Sequence, residues 1–525
     1  MIARKQFILY SIIVPVLILL LALIRPWALW LLVVVIPIIG LGIYDLLQRK
    51  HTLLRIYPVI GHLRFVFESI RPEIQQYFVE SDTNGIPVSR EFRSLVYQRA
   101  KGVRDTRPFG TLFDTYRDGY EWINHSLAPK PVREQQPRVI FGHGKQPYAA
   151  SPLNISAMSF GALSCNAILA LNKGARIGDF AHNTGEGGLS PYHQQYGGDL
   201  IWQIGTGYFG CRNCDGGFDP DLFAEKAGKD GVKMIEIKLS QGAKPGHGGI
   251  LPAVKLTPEI AAIRHVPMGH DVVSPSAHSV FSTPTGLLQF VAQLRELSGG
   301  KPVGFKLCIG KKPEFLAICK AMLETGITAD FVTVDGAEGG TGAAPVEFTN
   351  SVGTPLREGL VFVNSALHGI GLRDRVRVIA SGKVFSAFHM LRLLALGADT
   401  INVARAMMFA LGCIQSRHCN QDTCPSGVAT QDPRRYKMLD VDDKADRVAK
   451  YHASMIENLL ELIAAVGLER LEQLTPSHIN QRVSGSQIKH YGELYPVIEN
   501  GCLLHDSTVP TNWQQDWQRA TATTW

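Results

Sequence analysis

Three cysteines, Cys413, Cys419 and Cys424, lie within the stretch GCIQSRHCNQDTCPSGVAT, separated by five and then four residues. Thiolates are soft ligands for iron–sulfur clusters and zinc. Three is one short of the four that a complete cubane takes, and suits a cubane lacking one iron. Three readings stay open on local chemistry: an iron–sulfur cluster, a zinc site with His418 as fourth ligand, and an unligated loop. His418 adjoins Cys419, so its side chain is expected to point away from its neighbour's metal. A second pair, Cys211 and Cys214, has no partner pair and reads as structural, while Cys165, Cys308, Cys319 and Cys502 read as inert small side chains.

Four glycine-rich segments carry the other candidate chemistry: HNTGEGGLSP (182–191), QGAKPGHGG (241–249), DGAEGGTGAAP (335–345) and IASGKVFSA (379–387). Glycine lets backbone amides approach a phosphate or a flat ring closely. One such loop is ordinarily a plain turn. Four, each with a charged or hydroxyl residue, point to one pocket for a phosphorylated planar cofactor. Glu186 stands among glycines with little cover, as expected of a ligand-facing carboxylate that handles protons or ammonium; capping of nearby amides is the plain alternative. Lys238 and Lys306 sit inside strand-like runs, MIEIKL and VGFKLCI. A buried lysine must face an anion. For Lys238 an interior salt bridge and a functional role are equally open. For Lys306 a role beside a flavin is expected, where a cation stabilises the anionic reduced ring.

The elements that must position these residues repeat. From about residue 136, β-rich runs (MIEIKL, VGFKLCI, ADFVTVDG, RVRVIASG, ADTINVA) alternate with helical stretches (PEIAAIRHV, EFLAICKAMLETG, AFHMLRLLALG). Strand, glycine-containing loop, helix is the texture of a parallel sheet. The expectation is an α/β fold, a (β/α)8 barrel, with a doubly wound sheet as rival. No GxGxxG follows the first strand, which weakens a dinucleotide-binding Rossmann reading. In a barrel, the loops after the strands build the active-site face.

The chain has 525 residues, net charge +7 and nine cysteines. Nine is too few for a disulfide scaffold, and their clustering suits a reducing compartment. The mild basic excess suits an anionic membrane surface; it lacks the stripe and module that nucleic-acid binding requires. Phe7–Ile24 and Trp27–Tyr44 are each eighteen residues without a charge, split by Arg25 and Pro26. Each can cross about 30 Å of hydrocarbon. Arg4 and Lys5 precede the first, and Arg49, Lys50 and Arg55 follow the second. Basic outer ends predict a transmembrane hairpin with both ends cytoplasmic; a cleaved signal peptide followed by a buried helix is the alternative. The expected organisation is a hairpin over 1–50, a membrane-proximal region packing on the barrel over 51–135, the barrel with its cysteine loop over 136–440, and a helical extension and tail over 441–525, the last forty residues irregular. The catalytic part is expected on the cytoplasmic side of the cytoplasmic membrane.

Taken together, HNTGEGG, EIKLSQGAKPGHGGILPAVKLTPEIAAIR, DVVSPSAHS, DGAEGGTGAAP, GLRDRVRVIASG and ALGCIQSRHCNQDTCPSGVATQ resemble, in order over about 150–470, the synthase region of glutamate synthases. The chain most resembles the short stand-alone proteins called the FMN-binding glutamate synthase family. The resemblance implies a (β/α)8 barrel holding FMN and a [3Fe–4S] cluster, with Cys413, Cys419 and Cys424 as cluster ligands. It implies reductive amination of 2-oxoglutarate, or a related 2-oxo acid, to glutamate, with Glu186 and Lys306 at the active-site positions. FMN contacts are implied at Met158, Ser159, Gly161, Gln241, Lys306, Gly340, Thr341, Gly342, Gly382, Lys383, Ala404 and Arg405. The electron source would be a one-electron carrier such as ferredoxin or a membrane pool. The large members' glutaminase domain, with its catalytic first-residue cysteine, has no counterpart here, so the nitrogen source would be ammonia or an amine. His247 stands where the family has an acidic residue, CIGKKPEF replaces its usual Ser-Glu run, and Ser381-Gly382-Lys383 replaces its Asp-Gly-Gly. A different flavin oxidoreductase on the same scaffold, with a quinone partner, is the rival function.

Overall fold

The computed structural model describes residues 2–525 as two units that divide between Arg90 and Glu91. The division falls inside the 51–135 segment. In the first unit, α1 (Ile2–Ile24) and α2 (Leu32–Leu47) flank a 3-10 turn over Pro26–Leu31. Ala3–Ile24 and Pro26–Leu47 are each 22 residues and long and apolar enough to cross a bilayer. After a short helix over Thr52–Ile56, a longer one, α3 (His62–Ile74), continues as one π-helical turn over Gln75–Val79.

In the second unit, eight parallel strands close into a barrel. They are β1 (Leu153–Ile155), β2 (His182–Asn183), β3 (Leu200–Ile204), β4 (Val232–Lys238), β5 (Val303–Leu307), β6 (Phe331–Asp335), β7 (Arg377–Ser381) and β8 (Thr400–Val403). β8 pairs with β1 and β4 with β5. This is the (β/α)8 barrel expected from the alternation.

Because side chains alternate along a strand, each inward set forms layers up the barrel axis. β4 shows the gradient within one strand: Met234, then Glu236, then Lys238. Met234 joins Ile201, Phe331 and Ile379 in a buried apolar floor, closed by the hairpin Val139–Phe141 and Tyr148–Ala150. Above it the layer is polar. Glu236, wholly buried, accepts from Asn183 Nδ2 at 2.8 Å, Gln203 Nε2 at 2.6 Å and Thr333 Oγ1 at 2.7 Å. Three donors replace the water that a buried carboxylate loses. The top layer, at the strand C-termini, is charged. Gly304 on β5 leaves room for the Phe331 ring, whose Cγ a Cβ there would approach to 2.5 Å.

The long helix α4 (Val441–Val466) packs against Cys165–Gly178, the helix after β1. The last forty residues are more regular than expected. Ile479–Ser484 and Gln487–His490 form a hairpin that pairs with Glu121–Ile123, and Thr511–Arg519 is a helix. That helix places Trp513 against Phe362, ring centroids 5.2 Å apart, and Trp517 under Lys320 Nζ at 4.7 Å. Tertiary packing organises a segment whose prolines and polar residues read as irregular.

Candidate active site at the strand C-termini

The expected site residues converge on one rim. Met158, Ser159 and Gly161 follow β1, Glu186 follows β2, and Gln241 follows β4. Lys306 lies in β5, Gly340, Thr341 and Gly342 follow β6, Gly382 and Lys383 follow β7, and Ala404 and Arg405 follow β8.

Glu186 is held by its loop's backbone. Gly185 has φ +65°, and a Cβ there would lie 2.8 Å from Ser159 N and 3.0 Å from the Met158 carbonyl carbon, so only glycine fits. Lys238 Nζ donates to Glu186 Oε1 at 2.6 Å, the interior salt bridge left open for Lys238. Burial alone would raise the Glu186 pKa; Lys238, with Arg264 and Lys244 nearby, overrides it and holds the group below its ordinary range. The carboxylate therefore stays ionised. Its side chain keeps 18% of its surface open. A Cβ at Gly205 would come within 2.7 Å of Oε2, and one at Gly249 would strike Oε1, so two glycines make the space.

Lys244 and Arg264 complete a positive ring: three cations against one carboxylate. Burial lowers Lys244 to about 8, with Lys238 adding to the fall. Its Nζ donates to Ala343 O at 2.8 Å. Burial likewise lowers Arg264 to about 10.

Lys306 is next to Lys238 in register across β5 and β4. Its Nζ lies 3.3 Å from Asp335 Oδ2, which also accepts from Gly242 N at 2.7 Å. Burial opposes the charge on Lys306, but Asp335 and Glu236 outweigh it and raise its pKa. Gln241 sits in the same loop, its carbonyl accepting from Lys244 N at 3.2 Å. His247 Nδ1 lies 2.9 Å from Gly248 O, with its ring edge-on to Phe348, and Ser381 Oγ lies 3.3 Å from Ser156 Oγ.

A second cationic centre spans the β7 and β8 ends. Arg405 Nη2 donates to Glu338 O at 2.7 Å. Burial lowers the pKa of Lys383, and Arg405 lowers it further. Neither cation has an ion pair within 4.0 Å among those found for the described residues. The Glu338 carboxylate, which accepts from Leu356 N at 2.9 Å, favours the charge on both from a greater distance; two cations without a direct ion pair, beside the glycines at 340, 342 and 382, fit a phosphate.

The cysteine loop borders this centre. A Cβ at Gly342 would lie 3.7 Å from Cys419 Cβ. Burial pushes Cys413 up to about 12, with repulsion from Cys419 and Cys424 adding to it. Cys419 is raised by burial and by Cys424. The three thiols thus lie within electrostatic reach of one another. Among the described residues no three His, Cys, Asp or Glu side chains close on a single metal ion. Three soft thiolates are the donor type that an iron–sulfur group takes. Left-handed backbone at Gln415, Arg417 and Asp422 folds the loop, and Asp422 Oδ1 accepts from Gln431 N at 2.6 Å. Lys255 Nζ donates to Cys419 O at 3.3 Å. Cys211 is buried and Cys214 exposed.

A profile described as the conserved region in glutamate synthase matches residues 121–469. The chain belongs to the glutamate synthase family. It is 36% identical over 502 residues to the glutamate synthase large subunit-like protein YerD of Bacillus subtilis, covering 87% of this chain and 95% of that one. The archaeal glutamate synthase [NADPH] of Methanocaldococcus jannaschii is 37% identical over 325 residues, and the archaeal-type enzyme of Thermotoga neapolitana 34%. Those matches cover 62% of this chain and 60% and 61% of the relatives.

Lys244, Arg264, Asp335 and Lys255 were missed as site residues. Lys244 and Asp335 end or follow strands in glycine-rich segments, a signal that the loops themselves carried. Arg264 lies at the end of the helix Pro258–Arg264 and comes to Glu186 only through the fold.

Proposed function

We propose that this protein is an FMN- and [3Fe–4S]-dependent oxidoreductase that reductively aminates 2-oxoglutarate or a related 2-oxo acid, with ammonia or an amine as nitrogen source. The reading is carried by one observation: the open Glu186 carboxylate, the Lys306–Asp335 pair, Lys383 and Arg405 without a direct ion pair, and the cysteine loop share one barrel rim. Lys383 and Arg405 would hold the FMN phosphate, and Cys413, Cys419 and Cys424 the iron. When bound, these groups supply hydride chemistry and single-electron transfer.

The balanced reaction consumes a 2-oxo acid, ammonia, two electrons and two protons, and releases an amino acid and water. Lys244 and Arg264 offer the positive charge that a dicarboxylic acid needs. Glu186, kept ionised, holds ammonium at Oε2 and takes its proton as the nitrogen attacks the carbonyl. Lys306 balances charge on the flavin ring. Electrons would come from ferredoxin or a membrane pool. The apolar helices α1 and α2 would anchor the chain with the barrel on the cytoplasmic side.

The test uses anaerobically purified, dithionite-bleached protein. Flavin absorption should return when 2-oxoglutarate and ammonium are added together. Return with a quinone analogue and not with oxo acid plus ammonium would favour the rival quinone-linked oxidoreductase. Lys306→Ala should keep bound FMN but slow this return; unchanged kinetics would remove Lys306 from the chemistry. Cys419→Ser should lower iron content and cluster absorbance, and unchanged iron would overturn the cluster assignment.

A further inference from the structure

Helix α3 and its π-helical continuation leave an apolar face uncovered. Leu63, Val66, Phe67, Ile70, Ile74 and Phe78 recur at helical spacing along one side. They are between 40% and 84% exposed, and no residue of α3 is buried. A face of this kind on a water-soluble surface is a liability. Arg64, Arg71 and Glu68 line one flank of this face, and Phe65, on the far side, packs edge-on against His51 with ring centroids 5.6 Å apart.

Two observations within the same unit decide what covers it. First, α3 is tied to the end of the second apolar helix. Asp45, in the last turn of α2 and wholly buried, lies 2.8 Å from His62 Nε2 and accepts from Val59 N at 2.9 Å. The chain turns at Val59, which has φ +65°. The start of α3 is thereby fixed where an apolar span ends. Second, the charge there is basic. Arg49, Lys50, Arg55, Arg64 and Arg71 outnumber Asp45, Glu68 and Glu73.

We propose that α3 and its continuation to Val79 lie in the surface of an anionic bilayer, as a third membrane-contacting element beside the hairpin. Its apolar side enters the headgroup boundary by about 5–10 Å, the depth typical of amphipathic interfacial helices. Its arginines meet anionic headgroups, whose charge is concentrated in the cytoplasmic leaflet. The proposal rests on the membrane reading of α1 and α2. It adds a contact that orients the chain beyond what a hairpin alone does, because tilting the chain would lift the apolar side of a flat helix out of the headgroup boundary.

The full chain is reconstituted in vesicles of phosphatidylcholine and phosphatidylglycerol, with acyl chains brominated near the headgroup. Phe78→Trp adds emission that is read as the difference from the parent protein. The expected result is blue-shifted emission that brominated lipid quenches and aqueous iodide does not. As a second variant, Phe67→Glu with Phe78→Glu should raise amide exchange across 62–79 while the chain still resists alkaline carbonate extraction. Added emission quenched by iodide alone, in a chain that resists extraction, overturns this inference and leaves the hairpin standing. A chain released by carbonate overturns both.

Discussion

Two buried glutamates in the second unit do opposite things with the same carboxylate. Glu121, with 8% of its side chain open, is closed on every side. Arg357 and Arg392 pair with it, and Tyr491 OH donates to Oε1 at 2.7 Å. These partners come from two barrel helices and the segment after the C-terminal hairpin, so the cluster ties the strand Glu121–Ile123 to the barrel's outside. Glu186 is ionised for the same reason, cations outweighing burial, yet only Oε1 is held among the described residues. One carboxylate is saturated and joins elements. The other keeps an oxygen free beside glycines and extra cations, and so can take a ligand. Saturation, more than burial or pKa, separates scaffold from site.

The sharpest way to break this comparison is to remove each charge. Glu186→Gln keeps the shape and one acceptor. Turnover should fall about 10²–10⁴-fold, the usual contribution of a positioned acid or base, and in excess of any drop in folded fraction, since Lys238 also loses its counter-charge. A large loss of stability with turnover preserved would put Glu186 in the scaffold. Glu121→Ala should do the reverse. It leaves Arg357 and Arg392 without their counter-charge, and Arg392 Nε already lacks a partner. Removing one member of a buried ion pair typically costs about 3–5 kcal/mol. The urea midpoint should drop, while the folded fraction turns over normally. Equal loss of kcat in folded protein would mean that the two carboxylates do not differ in role.

The same contrast explains what could be read in advance. The barrel was legible because strand and helix periods alternate, and the rim was legible because glycines mark the loops that follow strands. Lys238 was legible as buried, since MIEIKL gives it an inward place two residues above Glu236. Its partner was not, because Glu186 lies 52 residues away and reaches it through a turn that only Gly185 permits. Arg264 was hidden for the same reason: a helical arginine carries no local sign of a ligand. The Glu121 cluster was invisible, as its four members span residues 121 to 491. Helix Thr511–Arg519 was missed because its order comes from Trp513 and Trp517 packing on the barrel, which its own polar sequence does not announce.

The smallest expected effect sharpens the open side of the comparison through pH. Lys244 is buried beside Lys238, and both effects lower its pKa to about 8. A lysine with a lowered pKa is charged below that value and neutral above it. Its bond to Ala343 O survives deprotonation, because a neutral amine still donates. The loop therefore stays in place above pH 8 and only the charge is lost. If Lys244 attracts an anionic substrate, KM should be flat below pH about 8 and rise above it, approaching tenfold per pH unit as the charged fraction falls. The kcat should follow a different profile, since Glu186 stays ionised throughout this range. Lys244→Arg, which cannot deprotonate here, should remove the inflection from KM. A KM that is flat to pH 9.5 in the parent protein would show that the extra cations neutralise Glu186 rather than receive substrate. The two glutamates would then differ less than their open and closed surroundings imply.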